Sequence, residues 1–367
     1  MGKTVFNHKI FVPLPRSQRS LKSRATTWAR PFALTALLFA SASSYAQKYQ
    51  VTVLENLPGG TSTQANAINN AGQVVGQSYD ANNNISAVIW NGTKPTVIFA
   101  GGQHGVFPYA INNSGVVVGT LYEESDSKPF VWSPGQFRLL PVSTADYSFA
   151  LGINDAGQIV GIIGGTASLW NSPTTNTFSL LPSLSGFTSS QANSINAAGQ
   201  IVGSSSAPNA LLAHATLWTL NSVTDLNRLG GYGGASMIND HGWIVGDASN
   251  GSYNGYPALW EPHTTAYNLG TLGGCCSSAN GINSEGDIVG YMQQYGTYHA
   301  LLWTHKHFTG VDLNTEISAS EAEAITLMFA VGTNDRCMIL ADGIDKKTGA
   351  NQSYVLSLTN QADCNEP

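Results

Sequence analysis

The chain has 367 residues and a formal net charge of −6 at pH 7, from 16 basic and 22 acidic side chains. That length suits two average domains or one large repetitive domain, so internal repeats decide the domain count. Seven basic residues and no acidic ones lie within the first 46 positions, which leaves a net charge of about −13 for the remainder. Because phosphate neutralisation needs a basic face, we expect no nucleic-acid partner.

The segment Met1–Ala46 has the features of a targeting signal rather than of a folded element. A basic stretch without acids precedes the apolar run Pro31–Ala40, and Ser44 and Ala46 are small residues where a signal peptidase reads the chain. We predict a signal peptide cleaved after Ala46 and export to the periplasm or out of the cell. An organelle transit peptide is the alternative, since such leaders are also basic and free of acids. No later segment approaches the roughly 18 apolar residues that span a bilayer, so we expect no transmembrane anchor after cleavage.

The first predicted element after the leader is a strand. Residues Tyr49 to Leu57 alternate β-branched and polar side chains and stop at Pro58, Gly59 and Gly60, which predicts an outer strand without a neighbouring partner. Four short strands follow, at Ala65–Asn69, Gln73–Gln77, Ala87–Trp90 and Thr96–Ala100.

A phrase of the form Ile-Asn-x-x-Gly-x-Val/Ile-Val-Gly occurs six times. Its Asn can accept a hydrogen bond from the backbone two residues on and its Gly tolerates a positive φ, so each copy predicts a hairpin turn. The turn residues are Asn69 and Gly72, Asn112 and Gly115, Asn154 and Gly157, Asn196 and Gly199, Asn239 and Gly242, and Asn283 and Gly286. Successive asparagines lie 42 to 44 residues apart, a period that with four strands per unit indicates radially arranged sheets.

A degenerate seventh copy of the phrase begins at Ala330, 51 residues after the sixth. Its predicted third strand is Ser353–Leu356, which lacks the tryptophan. The intervening Ile317–Met328 could form one helical stretch or a long loop. No fourth strand follows the seventh copy, so the unpartnered strand Tyr49–Leu57 can complete this last sheet and close a ring. An open array would instead leave a sheet edge and two apolar faces exposed. We therefore predict an all-β fold, a seven-bladed β-propeller spanning residues 47–359 as one domain, with a C-terminal tail at 360–367.

Tryptophan ends the third strand of six units, and a sheet covered on both faces needs such bulky anchors. We predict a core role for Trp90, Trp132, Trp170, Trp218, Trp260 and Trp303. The first strand of each unit carries one variable position between small residues. Three of its occupants, Asn66, Asn193 and Asn280, could line a central channel and contact a ligand.

The connections between second and third strands and between successive units emerge on one face, and these are the irregular ones. We call this end the variable face, and the end with the Asn-x-x-Gly turns the uniform face. The variable-face loops are rich in Tyr, Asn, Ser and Gly, a composition suited to recognition, although exposed loops are polar in any protein. The predicted ligand-binding tyrosines there are Tyr79, Tyr122, Tyr253, Tyr256, Tyr291 and Tyr295.

Signals for metals, cofactors and catalysis are weak. His305 and His307 lie two residues apart without a third ligand nearby in the sequence. Two acidic clusters lack the spacing of a calcium loop: Asp342 with Asp345, and Glu123 with Glu124 and Asp126. We therefore predict no metal and no cofactor. Carboxylates facing each other across the ring could act as an acid and a nucleophile, which leaves a glycan hydrolase or lyase as an alternative function.

Four cysteines are present. Cys337 replaces the turn glycine of the seventh copy on the face toward which the tail runs, which predicts a disulfide with Cys364. Cys275 and Cys276 are adjacent on the variable face; a strained vicinal disulfide, a ligand contact and a plain free pair all remain open.

The repeated phrase followed by His-Ala-x-Leu-Trp resembles the HAF-repeat family of bacterial extracellular proteins. The His-Ala pair is present at His214 and His299, and Leu269–Gly274 matches the family's connecting line. The seventh copy departs from the pattern at Thr333, Cys337 and Leu356. The resemblance implies export and a propeller-like repeat but no activity. From the residues and this resemblance together we predict a monomeric binding or structural surface module for a glycan or protein, with no assigned reaction.

Overall fold

The computed structural model describes residues 48–100, 105–123, 126–143, 147–207, 213–226, 231–249, 255–262, 266–305 and 308–364. These residues all belong to one compact unit. They form seven four-stranded antiparallel sheets, each with its strands in chain order except the last, which confirms the seven-bladed β-propeller. The predicted signal peptide lies outside the described residues.

Six blades are each built from four consecutive strands. Blade 1 comprises β2 (Gly60–Ile68), β3 (Gln73–Asp80), β4 (Ile85–Asn91) and β5 (Lys94–Ala100). Blade 2 comprises β6 (Val106–Ile111), β7 (Val117–Glu123), β8 (Asp126–Ser133) and β9 (Gln136–Leu139). Blade 3 comprises β10 (Ser148–Ile153), β11 (Ile159–Ile163), β12 (Thr166–Trp170) and β13 (Ser179–Leu180). Blade 4 comprises β14 (Ser189–Ile195), β15 (Ile201–Ser206), β16 (Ala213–Thr219) and β17 (Ser222–Asp225). Blade 5 comprises β18 (Gly233–Ile238), β19 (Ile244–Ala248), β20 (Tyr256–Trp260) and β21 (Tyr267–Asn268). Blade 6 comprises β22 (Cys275–Ile282), β23 (Ile288–Gln294), β24 (Thr297–Trp303) and β25 (Gly310–Asp312).

Blade 7 closes the ring. It consists of β26 (Ile325–Thr333), β27 (Ile339–Asp345), β28 (Asn351–Leu358) and, as its outer strand, β1 (Tyr49–Val53). β1 runs antiparallel to β28 with Tyr49 opposite Leu358 and Val53 opposite Tyr354. The predicted closing strand is therefore correct in its partner but shorter than Tyr49–Leu57, because the buried Leu54 begins the crossing to blade 1.

The core lies between blades. Seven apolar clusters each combine side chains of two adjacent blades; in one of them Val75 and Ile89 of blade 1 pack with Val117 and Phe130 of blade 2. The cluster of Leu340 and Val355 with Val74 and Trp90 joins blade 7 to blade 1. With this last interface buried, every blade in the described part of the chain packs against a blade on each side.

The connection from blade 6 to blade 7 contains both a helix and the start of a strand. Within the predicted Ile317–Met328 stretch, α1 (Ala319–Ala324) is followed at once by β26. The backbone carbonyl of Glu316 accepts the backbone N–H groups of Lys48 and Tyr49, and the Glu321 carboxylate accepts that of Val51. We call Glu316–Ala324 the latch, because it satisfies the outward backbone groups of β1, the strand that closes the ring.

Backbone geometry explains two glycines of the phrase. Gly199 has a φ of 76°, a conformation that only glycine adopts without strain. A Cβ on Gly203 would lie 1.9 Å from the carbonyl oxygen of Gln191 on the neighbouring strand, so a side chain cannot fit there. In the seventh copy Cys337 holds the turn position with a φ of 54°, so this turn is strained where the others are not.

Candidate functional site

The uniform face is organised by a ring of asparagine side chains. Each phrase asparagine donates its amide N–H to the backbone carbonyl of the equivalent asparagine in the next blade, at 2.9 to 3.3 Å. The seven bonds run from Asn69 to Asn112, Asn154, Asn196, Asn239, Asn283, Asn334 and back to Asn69. These asparagines are buried, and the turn role predicted for them is accompanied by a role between blades that the sequence analysis missed.

The same asparagines stabilise their own hairpin turns through the oxygen atom of the side-chain amide. In blade 3, Asn154 Oδ1 accepts the backbone N–H of Gln158, and Asn69 Oδ1 accepts those of Ala71 and Gln73 in blade 1. Carboxylates next to the ring are also occupied, since Asp155, Asp240 and Asp335 accept backbone N–H groups from the preceding blade. The uniform face is therefore built from mutually satisfied polar groups.

The predicted channel-lining asparagines lie at β-bulges. The pairing of first and second strands shifts register at Asn66, Asn193 and Asn280. Their side-chain amides donate to carbonyls of the next blade, at Pro108 (2.7 Å), Ala235 (2.8 Å) and Ala330 (2.9 Å) respectively. These bonds give the three asparagines a contact between blades, so their ligand-binding role stays a prediction without structural support.

The tryptophans fill the core and also connect blades. Trp90, Trp170, Trp218, Trp260 and Trp303 are buried. Four indole N–H groups donate to a carbonyl just beyond the outer strand of the preceding blade: Trp90 to Glu55, Trp170 to Pro141, Trp218 to Pro182 and Trp260 to Leu226. Trp132 is only half-buried and packs against the cluster that contains Phe130 of the same strand.

On the variable face, half-buried aromatic side chains of blades 2 and 3 form the blade-2 cluster, defined by Phe107, Tyr109, Tyr122 and Phe149. Phe107 stacks on Tyr109 at 6.4 Å between ring centroids, and Tyr122 meets Phe107 and Phe149 edge-on at 5.3 Å and 5.9 Å. Tyr79 of blade 1 lies close enough to Tyr109 to influence its ionisation. Two predicted residues, Tyr79 and Tyr122, thus lie at one aromatic surface.

A second aromatic surface, the blade-6 cluster, consists of Tyr291, Tyr298 and Phe329 of blades 6 and 7. Tyr291 lies 5.1 Å from Phe329 and 5.9 Å from Tyr298, and Tyr298 lies 4.7 Å from Phe329, each between ring centroids. Only Tyr291 was predicted. Phe107, Phe149, Tyr298 and Phe329 were not predicted. The three phenylalanines have no polar group, and an aromatic residue in a predicted strand ordinarily signals core.

The phenol groups of Tyr79, Tyr109, Tyr122 and Tyr291 stay protonated at physiological pH. Burial raises the pKa of Tyr79 and of Tyr122, and burial together with a hydrogen bond to Tyr122 raises the pKa of Tyr109 strongly. Burial and the nearby Asp247 raise the pKa of Tyr291 to about 12. Neutral phenols can donate and accept hydrogen bonds, so both clusters combine ring faces with polar edges.

Two half-buried carboxylates accompany the clusters. Asp247 follows the phrase glycine on β19 and Asp342 occupies the same position on β27. Asp342 Oδ1 accepts from the Ser353 hydroxyl at 2.6 Å and from the backbone of Ala65 at 3.3 Å, so it connects blade 7 to blade 1. The negative charge of Asp342 also contributes to the raised pKa of Tyr79, after burial.

The remaining predicted tyrosines do not join either cluster in the described contacts. Tyr256 is half-buried at the start of β20, and Tyr295 is fully exposed at the β23–β24 turn with a φ of 48°. Tyr253 lies outside the described residues.

Two histidine–aspartate pairs lie on the outer part of the variable face. His214 Nδ1 is 2.8 Å from Asp225 in blade 4, and His299 Nδ1 is 2.7 Å from Asp312 in blade 6. They join third and fourth strands at equivalent places, so a repeated structural role explains them. His305 pairs with Asp287 at 3.0 Å, whereas His307 and Glu124 lie outside the described residues. Among the residues that the structure describes, no group of three His, Cys, Asp or Glu side chains could hold a metal ion.

Cys337 and Cys364 form a disulfide that ties the C-terminal tail to the seventh turn. Cys275 and Cys276 are free and exposed. No helix in the described parts of the chain has the length and apolar character required to span a bilayer.

The chain is similar to known proteins in its fold only. No family model and no curated protein matches the sequence. Acylaminoacyl peptidase from Pyrococcus horikoshii is similar with a TM-score of 0.52 and 9% identity, over 82% of this chain and 53% of the peptidase. TolB from Acinetobacter baumannii gives a TM-score of 0.49 and 12% identity, over 65% of this chain and 62% of TolB. The chain spans about half the length of the peptidase, and a shared fold carries no shared activity.

Proposed function

We propose that this chain is an exported binding module whose variable face takes up a glycan. The observation that supports this proposal is the pair of half-buried aromatic clusters on that face, each edged by neutral phenol groups. Ring faces suit the C–H surface of a sugar, and phenols, amides and carboxylates suit its hydroxyl groups. Export rests on the leader sequence alone.

A glycan is preferred to a protein segment because polar side chains lie directly beside the aromatic rings. The Tyr79 hydroxyl donates a hydrogen bond to the side-chain oxygen of Gln64 at 3.3 Å. Asp247 lies beside Tyr291 and Asp342 beside Tyr79. A protein interface would be expected to bury a more apolar centre with a polar rim.

A glycan array probed with the chain from Gln47 onward tests the proposal. We expect selective binding that is reduced at least about tenfold, or about 1.4 kcal/mol, in Tyr122→Ala and in Tyr291→Ala. Tyr267→Ala is the matched control, because Tyr267 is exposed on the outer strand of blade 5, away from both clusters. An array without binding by a folded protein, or equal loss in the control, would overturn the proposal.

The same reagents address the hydrolase or lyase alternative. A bound glycan incubated with the protein is expected to keep its mass, because the recurring histidine–aspartate pairs are explained by the repeat. Cleavage products that disappear in Asp247→Asn or Asp342→Asn would instead establish an enzyme.

A further inference from the structure

Two adjacent thiols lie at the edge of the variable face. Cys275 and Cys276 begin β22, directly after the connecting line Leu269–Gly274, and both are exposed. The Cys276 thiol donates to the Cys275 sulfur, with the two sulfur atoms 3.2 Å apart.

Such proximity is not what a regular strand provides, since successive side chains in a strand point to opposite sides of the sheet. Here the pairing of β22 with β23 shifts register between Cys275 and Ser278, so Cys276 lies within a bulge. Cys276 also has a φ of 51°, in the left-handed region. The bulge and this backbone conformation together bring both sulfur atoms to the same side.

We propose that Cys275 and Cys276 form a reversible vicinal disulfide, made and broken by exchange with an external disulfide or dithiol. Closing the bond shortens the sulfur–sulfur distance to about 2.0 Å, a small movement for two exposed side chains. The external reactant is either a small disulfide such as oxidised glutathione or a thiol–disulfide oxidoreductase of the exported compartment.

The exchange has two balanced steps. The Cys275 thiolate attacks one sulfur of the external disulfide, which releases one thiol and leaves a mixed disulfide on Cys275. Cys276 then loses its proton and attacks the Cys275 sulfur, which closes the ring and releases the second thiol. Two electrons and two protons pass to the external disulfide. Cys275 attacks first because its sulfur accepts a hydrogen bond from the Cys276 thiol, and that bond raises the pKa of Cys276.

Reversibility follows from ring strain and exposure. A disulfide between neighbouring residues closes a small ring, and strained or exposed disulfides have higher reduction potentials than ordinary structural ones. The Cys337–Cys364 bond differs in both respects, because it joins residues 27 apart and both cysteines are buried. It therefore serves as an internal reference that stays oxidised.

The pair is placed to affect the blade-6 cluster. In the pairing of β22 with β23, Cys275 lies opposite Gln293 and Ser278 lies opposite Tyr291, so the bulge that contains Cys276 lies next to Tyr291. Oxidation replaces two S–H groups beside Tyr291 with an apolar disulfide, so we expect it to change ligand affinity about threefold or more. This consequence, unlike the disulfide itself, rests on the proposed function.

The redox state is measured without any ligand. The folded chain is equilibrated with defined ratios of reduced to oxidised glutathione, quenched with acid and alkylated, and the peptide carrying Cys275 and Cys276 is identified by mass. We expect it to pass from two alkyl groups to none as the mixture becomes oxidising, while Cys337 and Cys364 stay unmodified. Cys276→Ser should stop at one glutathione on Cys275, since the second step is removed.

Two alkyl groups at every ratio, a glutathione on each cysteine, or linkage between chains would overturn the vicinal disulfide. Thermal unfolding of Cys276→Ser checks that this variant is folded. Ligand affinity is then compared between the two redox states of the wild-type protein. An unchanged affinity with a formed disulfide would refute the switch alone, and absent binding in both states would refute the proposed function alone.

Discussion

The asparagine of the repeated phrase uses both ends of its side-chain amide. Asn154 accepts from Gln158 within its own turn and donates to the Asn196 carbonyl of the next blade. Because the residue is buried, removing it leaves these backbone groups without water to replace the lost bonds. A single residue type therefore stabilises both the hairpin and the interface between blades.

We expect Asn154→Ala to lower the free energy of unfolding by about 1 to 3 kcal/mol, the usual cost of orphaned buried polar groups. The matched control is Asn82→Ala, at an exposed position in the β3–β4 loop, with an expected change within about 0.5 kcal/mol. Urea denaturation of both variants measures the difference. Equal effects would show that the ring of amides does not contribute to stability.

The hairpin half of this role is local and could be predicted from the sequence, since Asn and Gly lie three residues apart. The ring could not, because its acceptor is more than forty positions away and depends on how blades pack. The same limit applies to Asn66, whose bulge position and bond to Pro108 appear only when two blades are adjacent.

At the scale of elements, the latch explains the longer spacing before the seventh blade. The Ser318 hydroxyl caps α1 by accepting the backbone N–H of Glu321, and the Ser318 backbone N–H donates in return to the Glu321 carboxylate. The same carboxylate accepts the Val51 backbone N–H of β1. Burial alone would raise the pKa of Glu321, but hydrogen bonds from Ser318 and Val51 outweigh it and lower that pKa below the ordinary 4.5. A lowered carboxyl pKa stabilises the folded state above the ordinary value, and this contribution is lost as pH falls through the folded pKa.

Glu321→Gln tests the latch. We expect the variant to have a lower Tm than the wild type at pH 7, with the difference shrinking as the pH falls below about 4.5, where the wild-type carboxylate becomes protonated. Glu323→Gln, at an exposed position on the same helix, is the matched control and should have the Tm of the wild type at pH 7. Thermal scans of the three proteins between pH 3 and pH 7 provide the comparison, and a difference independent of pH would contradict the role of the charge.

The Cys337–Cys364 disulfide stabilises a second terminal element. Its cysteines are 27 positions apart, for which loop closure predicts a contribution of about 3.5 kcal/mol that Cys364→Ser should remove. Intact-mass measurement after alkylation, with and without reductant, decides whether the bond forms in the purified protein. Two free thiols at these positions before reduction would contradict the pairing.

At the scale of the whole molecule, stability depends on closing the ring. Without β1, the cluster that contains Tyr49 and Leu356 would be exposed, and β28 would present an open edge. Deleting Lys48–Val53 should therefore abolish the single cooperative unfolding transition of the wild-type chain.

A permuted chain supplies the control for this deletion. Joining Leu358 to Lys48–Val53 through a two-residue turn places the closing strand directly after β28, as in the other blades. Both the deletion variant and the permuted chain lack the residues after Leu358 and carry Cys337→Gly, so the tail disulfide does not affect the comparison. Calorimetry should show a cooperative transition for the permuted chain only; cooperative unfolding of the deletion variant would contradict closure by β1.

The repeat period, the turn chemistry and the missing fourth strand were sufficient to predict blade number and closure. They were not sufficient to predict the aromatic clusters. Tyr122 and Tyr291 could be identified because they begin irregular stretches of sequence. Phe107 and Phe329 have the sequence pattern of core residues, and that they are only half-buried follows from the packing of neighbouring blades.

Hydrogen exchange of the chain with and without its strongest array ligand tests most directly whether function belongs to the variable face. We expect slowed exchange in the β7–β8 and β23–β24 connections and in the strand ends that carry Tyr122 and Tyr291, with unchanged exchange at the Asn-x-x-Gly turns. Protection confined to those turns, on the uniform face, would contradict the assignment.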